Sequence, residues 1–293
     1  MSPINSFVKG STQVICILGY PIKHSLSPQI HNYIIQKLGL NYVYIPVTVP
    51  PQSLHSMLFT LKNCGFAGAN VTIPHKEHVV NYCDRISELS KKTGTVNTLY
   101  VKDNQLCGTT TDYEGFKRAI GLMHFDLRGS KVVILGNGGT ARTIATALSL
   151  ENEISSLTIA GRNSSKASAL ANTVSKASGQ SIVSCSFSDL IFQEVMHECT
   201  LLVNTTSAGM TPNITDTPIN ASFFNKRMNV FDAIYNPAKS RFLTEAETAG
   251  CKIQNGLPML LYQALASFKI WTGVDVQENI VSLDELQMLI GSE

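Results

Sequence analysis

Residues 131–142 read Lys-Val-Val-Ile-Leu-Gly-Asn-Gly-Gly-Thr-Ala-Arg. The first five are apolar without alternation, as expected of a strand buried on both faces. A Gly-x-Gly-x-x-Ala turn follows, and then a run with helical character over 140–150. Strand, glycine turn and helix in that order are the context a dinucleotide loop requires. Gly136 permits the tight turn, Gly138 lets the backbone approach a pyrophosphate, and Ala141 lets helix and strand pack closely. The helix start then offers its N–H groups to the anion.

The next strand decides which dinucleotide is preferred. An NAD site ends that strand with an acidic residue that binds the ribose 2′-hydroxyl. Here the strand ends Ala160-Gly161-Arg162-Asn163-Ser164-Ser165-Lys166, and no acidic residue lies between Glu153 and Asp189. Arg162 and Lys166 put positive charge where a 2′-phosphate would sit, which favours NADP over NAD.

Outward from this unit, strand-like and helix-like segments alternate along the chain. Strands are expected at 14–19, 42–47, 69–73, 157–160, 181–185, 201–204, 230–232 and 252–254, with a hairpin around Asp103-Asn104. Helices are expected at 28–38, 53–64, 76–83, 87–93, 112–123, 258–271 and 283–290. Such an order predicts an α/β protein with parallel sheets and helices on both faces. The length of 293 residues suits two domains.

Composition narrows the function classes. A net charge of +2, with no basic block, does not indicate nucleic-acid or anionic-membrane binding. No apolar run approaches the about 18 residues of a membrane span. The seven scattered cysteines, without a Cys-x-x-Cys, fit reduced thiols in a cytoplasm and argue against a disulfide framework or a zinc site. His75 and His78 lie three apart but lack a third ligand nearby in sequence, so no metal is expected.

The N-terminal unit carries the candidate chemistry. Residues 19–32, Gly-Tyr-Pro-Ile-Lys-His-Ser-Leu-Ser-Pro-Gln-Ile-His-Asn, join a strand end to a helix start, where open α/β proteins hold ligands. Ser25 and Ser27 there suit a ligand bearing hydroxyls or a carboxylate. Ser27 before Pro28 also has the form of a helix N-cap with Pro at N1. Lys76, in Asn70-Val71-Thr72-Ile73-Pro74-His75-Lys76, is expected just past a strand end at a helix start. The helix dipole would disfavour its charge there. Partial burial would lower its ordinary pKa of about 10.4, and a carboxylate would raise it and fix its position, which together suit a proton donor to a carbonyl that takes a hydride. Asp112 is the candidate carboxylate, and Thr-Asp before a helix is also an N-cap pattern.

Taken together, these segments resemble the shikimate dehydrogenase family over nearly the whole chain. The resemblance rests on Gly19–Asn32, Asn70–Lys76, Val96-Asn97-Thr98, Asn204–Met210, Asp232–Pro237, and Met259–Ala264 with Trp271-Thr272-Gly273. It implies reversible NADPH-dependent reduction of 3-dehydroshikimate to shikimate in chorismate and aromatic amino-acid biosynthesis. It further implies Lys76 as general acid/base with Asp112 as partner. Ser25, Ser27, Thr72, Asn97 and Gln263 would hold substrate hydroxyls and carboxylate, with Tyr235 near both substrate and nicotinamide. The cofactor set would be Gly136, Asn137, Gly138, Gly139, Thr140, Ala141, Gly161, Arg162, Asn163, Lys166, Thr205, Thr206, Ser207, Met210, Ala233 and Gly256. The implied fold is a substrate domain, 1–112 rejoined by C-terminal helices 257–293, around a Rossmann NADP-binding domain, 113–256. The protein would act as a monomer or homodimer. Four positions depart from the family pattern: Thr110 stands where Asn is usual, Gly161 and Asn163 flank Arg162 in place of Asn and Thr, and Asn137 replaces Ala. A quinate or aminoshikimate dehydrogenase, and a catalytically silent NADP-binding regulator, are the alternatives on the same residues.

Overall fold

The computed structural model describes residues 8–277 and 280–290. Among these the chain divides into two compact units. One runs to Ser90 and includes Thr95–Thr111 and the segment from Ala264 onward; the other takes Lys91–Gly94 and Asp112–Gln263. The second unit thus also holds Asp112 and residues 257–263, beyond the 113–256 drawn from sequence.

The first unit contains strands β1 (Gln13–Gly19), β2 (Tyr42–Thr48), β3 (Phe66–Val71), β4 (Arg85–Ile86), β5 (Thr98–Lys102) and β6 (Gln105–Thr109). They form one sheet in the order β2-β1-β3-β5-β6-β4. β1 is parallel to both its neighbours, and its last five residues are buried. The β5–β6 hairpin turns at Asp103 and Asn104, both at positive φ (52° and 59°), and its first strand, β5, runs antiparallel to β3. This sheet is therefore mixed, as the hairpin expected around Asp103-Asn104 requires, because a two-residue turn returns the chain antiparallel. The reversal has a consequence for the site. Asn70 pairs with Thr98 and Thr98 with Thr109, so the start of β5 and the end of β6 lie beside the end of β3.

Helices α1 (Ser27–Lys37), α2 (Leu54–Asn63) and the later part of α9 (Leu257–Thr272) belong to this unit, and the short α3 (Glu88–Thr93) gives residues to both units. On α1, Asn32 clamps the sheet edge: its Nδ2 donates to the Tyr44 carbonyl (2.8 Å) and its Oδ1 accepts the Tyr44 N–H (2.9 Å). An edge strand's open backbone groups are thereby satisfied by a side chain. From α9, Trp271 donates to the Leu99 carbonyl at 2.9 Å. A Cβ on Gly68 would stand 2.3 Å from the Trp271 indole, so this close seating requires glycine. His31 is fully buried, stacked on Tyr44 (ring centroids 4.2 Å apart) and near Phe268 and Trp271.

The second unit's main run begins with α4 (Asp112–Leu122). It continues with β7 (Lys131–Leu135), α5 (Gly139–Glu151), β8 (Ser156–Gly161), α6 (Ser164–Ser178), β9 (Val183–Ser186), α7 (Leu190–Glu198), β10 (Leu201–Asn204), β11 (Asn229–Asp232), α8 (Arg241–Thr248) and β12 (Lys252–Gln254). All six strands are parallel, in the order β12-β11-β10-β7-β8-β9. The order reverses between β7 and β10, which opens a crevice at their carboxyl ends. A core of Phe192, Met196, Leu202, Val230 and Phe242 lies against one face of this sheet.

Burial pushes the His31 imidazole down to about 3, against an ordinary 6.5, with Asn70 only partly opposing. The unfolded chain therefore takes up a proton below pH 6.5 that the folded chain refuses until about pH 3. His31 costs nothing above pH 6.5 and destabilises progressively as pH falls through that window, by about 2 kcal/mol near pH ~5. Denaturation of His31→Phe should lack this component, so its stability should fall less between pH ~7 and pH ~5 than that of the wild type. Parallel losses in the two proteins would show that His31 does not carry it.

Candidate functional site

In the first unit, topology gathers four loop segments at one end of the sheet. The loop after β1 carries Ser25 and Ser27, and the turn after β3 carries Thr72 and Lys76. Asn97 precedes β5, and Thr110-Thr111 follow β6. Backbone hydrogen bonds tie them together: Thr72 N–H to Leu18 O (2.9 Å), Tyr20 N–H to Ile73 O (3.0 Å), Val96 N–H to Lys76 O (2.8 Å) and Asn97 N–H to Thr109 O (3.0 Å). A Cβ on Gly19 would come within 2.6 Å of Thr72 Cγ2 and 2.9 Å of Ile22 Cδ1, so a larger residue would have to displace those side chains where β1 meets the Thr72 turn.

Two local readings change. Ser27 does not cap α1: the N-cap is Leu26, and no side chain caps it. Instead the Ser27 N–H itself donates to Ser25 Oγ (3.3 Å), one residue before the helix's own orphan N–H groups that a capping serine would meet. The Ser27 hydroxyl hydrogen-bonds the Tyr44 side chain. Nor does Lys76 stand at an α-helix start. β3 ends at Val71, and the segment after Lys76 is a five-residue 3-10 turn, His78–Tyr82. The macrodipole argument does not apply to so short a stretch. What fixes the lysine is its flank. His75 is fully buried and its Nε2 donates to the Val49 carbonyl (2.7 Å), while the carbonyl of Lys76 is held by Val96. His75 is thereby engaged, and no group of three or more His, Cys, Asp or Glu among the described residues could hold a metal ion.

Asn97 is 2% exposed, and its amide orientation is set by partners. Oδ1 accepts the Thr111 N–H (2.9 Å), and Nδ2 donates to Thr111 Oγ1 (2.9 Å). Asp112, Tyr235 and Gln263 fall in the second unit. Asp112 is the first residue of α4 and is buried; Gln263 donates to the Leu260 carbonyl (2.8 Å).

The second unit holds a groove of about 840 Å³ at the β7/β10 crevice. Its walls include Gly136, Asn137 and Gly138 after β7, Gly161, Arg162, Asn163 and Lys166 after β8, and Thr205, Thr206 and Ser207 after β10. The residues fit a dinucleotide. Gly136 has φ +115°, and a Cβ there would stand 2.5 Å from Thr205 Oγ1, so the fold itself demands glycine. Gly138 differs: its φ of −84° suits any residue, and an added Cβ meets no protein atom within 4 Å. Only a bound group needs that space clear. Arg162, Lys166 and Arg241 face the single carboxylate of Asp216, which makes the groove net positive.

Other expected cofactor residues lie outside those walls. Gly139 and Thr140 form the first turn of α5, and Ala141 is fully buried against the sheet. Met210 is half exposed. Ala233 and Gly256 pack on each other: a Cβ on Gly256 would stand 2.2 Å from the Ala233 carbonyl. Asn163 also serves as N-cap of α6, accepting the Lys166 N–H at 3.0 Å.

Sequence reasoning missed the opposite wall, Asn213 and Thr215–Pro218 with Arg241. Arg241 donates to Glu245 (2.7 Å) and to the Thr215 carbonyl (2.9 Å), which fastens that loop to α8. It also missed the loop's foundation. Fully buried Asn204 accepts the Thr206 N–H (2.9 Å) and hydroxyl (2.8 Å), and donates to Asp232 (2.9 Å). Burial pushes the Asp232 carboxyl up to about 6 despite donors from Ser240, Ile234 and Asn204. A polar pair at the ends of two neighbouring parallel strands, β10 and β11, was the available signal.

Residues 17–99 match the shikimate dehydrogenase substrate binding domain, 119–237 the shikimate / quinate 5-dehydrogenase, and 256–281 the shikimate 5′-dehydrogenase C-terminal domain. A protein of Moorella thermoacetica named shikimate dehydrogenase (NADP(+)) is 40% identical over 266 residues, 91% of this chain and 90% of that one. The chain belongs to the shikimate dehydrogenase family. A crystal structure of a shikimate dehydrogenase in complex with NADP+ matches with a TM-score of 0.87 at 34% identity, covering 95% of this chain and 96% of the other. A second, shikimate 5-dehydrogenase of Thermus thermophilus in complex with NADP(H) and shikimate, matches at 0.82 and 31% identity, covering 94% and 98%.

The two kinds of glycine in the second unit should separate experimentally. Gly138→Ala should leave unfolding stability within about 1 kcal/mol yet weaken dinucleotide binding by roughly tenfold or more, because its methyl enters the groove. Gly256→Ala should destabilise the fold by about 2 kcal/mol or more through its clash with a backbone carbonyl. Denaturant melts and dinucleotide titrations of both variants check this; equal stability losses would refute the distinction.

Proposed function

We propose that the protein catalyses the reversible reduction of 3-dehydroshikimate to shikimate with NADPH, in the pathway to chorismate and the aromatic amino acids. The carrying observation is the pairing, in a chain of this family, of a hydroxyl, amide and lysine cluster in one unit with a cationic dinucleotide groove in the other. When bound, the reduced dinucleotide supplies the hydride that turns the carbonyl carbon into a carbinol. Lys76 gives the carbonyl oxygen its proton as the hydride arrives, and takes that proton back from the hydroxyl in the reverse direction. Asp112 is the carboxylate assigned to the same proton transfer. Ser25, Ser27, Thr72, Asn97, Tyr235 and Gln263 bind and orient the substrate. Arg162 and Lys166 bind the 2′-phosphate and so select NADP over NAD. Tyr235, Met210, Ala233 and Gly256 stand on the nicotinamide side. All seven cysteines are free, which suits a reducing compartment, and the proposed location is the cytoplasm. Among the described residues no helix is long and apolar enough to cross a membrane.

Spectrophotometric kcat/KM on shikimate and quinate, each with NADP+ and NAD+, tests the assignment. Shikimate with NADP+ should be the best pair, and a clear preference for quinate with NAD+ would overturn it. Lys76→Ala should lower kcat by about 10² to 10⁴ with a smaller change in KM; a wild-type kcat would remove Lys76 from the proton step. Arg162→Ser should raise the KM for NADPH by roughly tenfold to a hundredfold, the range for a lost charge-assisted hydrogen bond, while leaving NADH little changed. An equal effect on both cofactors would assign Arg162 elsewhere.

A further inference from the structure

The loop after β7 carries one polar side chain that the fold itself does not use. Asn137 is half-buried, and among the described residues no group hydrogen-bonds its amide. Its backbone does not call for asparagine either, since the non-glycine residues at positive φ are Asp103, Asn104, His124 and Asn152. The amide lines the dinucleotide groove and lies against Gly161, the last residue of β8. A Cβ built on Gly161 would find Asn137 Nδ2 at 3.7 Å and the Asn163 carbonyl at 4.0 Å. Asn137 thus fills, from the glycine loop, the room that a side chain at the end of β8 would take. Asn163, the other amide in this wall, is already engaged as the cap of α6, with its Oδ1 on the Lys166 N–H. Positions 137 and 161 are two of the four departures from the family pattern, an amide standing at the first and missing at the second.

We infer that the Asn137 side chain donates a hydrogen bond to the 2′-phosphate of NADP and, with Arg162, sets the preference for NADP over NAD. The inference rests on the proposed reading of the groove as an NADP site. In this fold the pyrophosphate lies on the glycine loop, and the end of the following strand lies at the adenosine ribose. A carboxylate at that strand end accepts the 2′-hydroxyl proton of NAD. In NADP the 2′-oxygen is esterified and has no proton to give, and the outer oxygens of the phosphate are acceptors. A side chain standing there must therefore donate. Gly161 leaves the strand end without a carboxylate, and the amide beside it donates through Nδ2 without the repulsion that a second negative charge would bring. Arg162 and Lys166 supply the charge from one loop, and Asn137 adds a neutral donor from another.

Calorimetric titrations of the full-length protein with NADP+ and with NAD+, in the absence of substrate, test the inference through binding alone. Asn137→Ala should weaken NADP+ by roughly tenfold, the lower range for a hydrogen bond to a charged group, and change NAD+ by less than about twofold. Its unfolding midpoint should match that of the wild type, because no protein hydrogen bond is lost with the amide. Asn137→Asp should weaken NADP+ further than Asn137→Ala does, and should bind NAD+ at least as tightly as the wild type, since a carboxylate there takes the 2′-hydroxyl proton. Adding Gly161→Asn to Asn137→Ala should recover most of the NADP+ affinity, because a side chain at 161 meets only ordinary contacts. Equal losses for NADP+ and NAD+ in Asn137→Ala overturn the phosphate assignment. Wild-type NADP+ affinity in Asn137→Asp overturns the donor role, and no recovery in the double variant overturns the placement of the amide at the strand end. Wild-type NADP+ affinity in Asn137→Ala, with the loss expected of Arg162→Ser, overturns this inference alone. Wild-type NADP+ affinity in both Asn137→Ala and Arg162→Ser overturns the NADP reading of the groove with it.

Discussion

The side-chain amide of Asn70 is the tie on which the first unit's site depends. It sits 4% exposed near the end of β3, where an unsatisfied amide would be costly. Its partners come from three segments: Tyr44 on β2, the Asn97 carbonyl and Thr98 hydroxyl at the start of β5, and Ser267 on α9. Nδ2 has two hydrogens to share among the last three, and each full hydrogen bond is worth about 1 kcal/mol net. Their combined effect is geometric, since loops far apart in sequence are held to one register at the end of the sheet.

The second unit solves the same problem with another asparagine. Asn204 ends β10 and is fully buried; its nitrogen ties to Asp232 on the neighbouring strand and its oxygen turns the Thr205–Ala208 loop toward the groove. In both units an amide at a strand end supplies one donor side and one acceptor side at once. Asparagine suits that place because it is short enough to stay at the strand end while bonding both a neighbouring strand and the following loop.

What could be read in the sequence follows from how local each determinant is. The glycine loop, its strand and its helix are contiguous, and so is the Asp103-Asn104 hairpin, so both were legible. The cap of α1 was misread because a Ser-Pro pattern does not say which of two nearby hydroxyls the backbone meets; burial of Ser27 against Tyr44 decided it. The wall of the groove formed by Thr215–Pro218 and Arg241 depends on a contact 26 residues apart. Helices α6 and α7 went unread because their apolar faces are defined by the sheet they cover, with small residues such as Ala167 and Ala171 carrying much of the α6 contact.

Lys76 shows how far placement can be separated from electrostatics. A lysine expected to be tuned by a helix dipole instead rides on a turn with no α-helix behind it. Its position comes from buried neighbours: the His75 ring held by the Val49 carbonyl, and its own carbonyl held by Val96 next to Asn97. The backbone that carries the proposed proton donor is thus joined directly to the strand that carries the proposed substrate amide. Orientation of the substrate and placement of the proton donor are set by one continuous piece of hydrogen-bonded scaffold. A catalytic group gains from such fixation, because its geometry relative to the bound substrate is settled before the reaction begins.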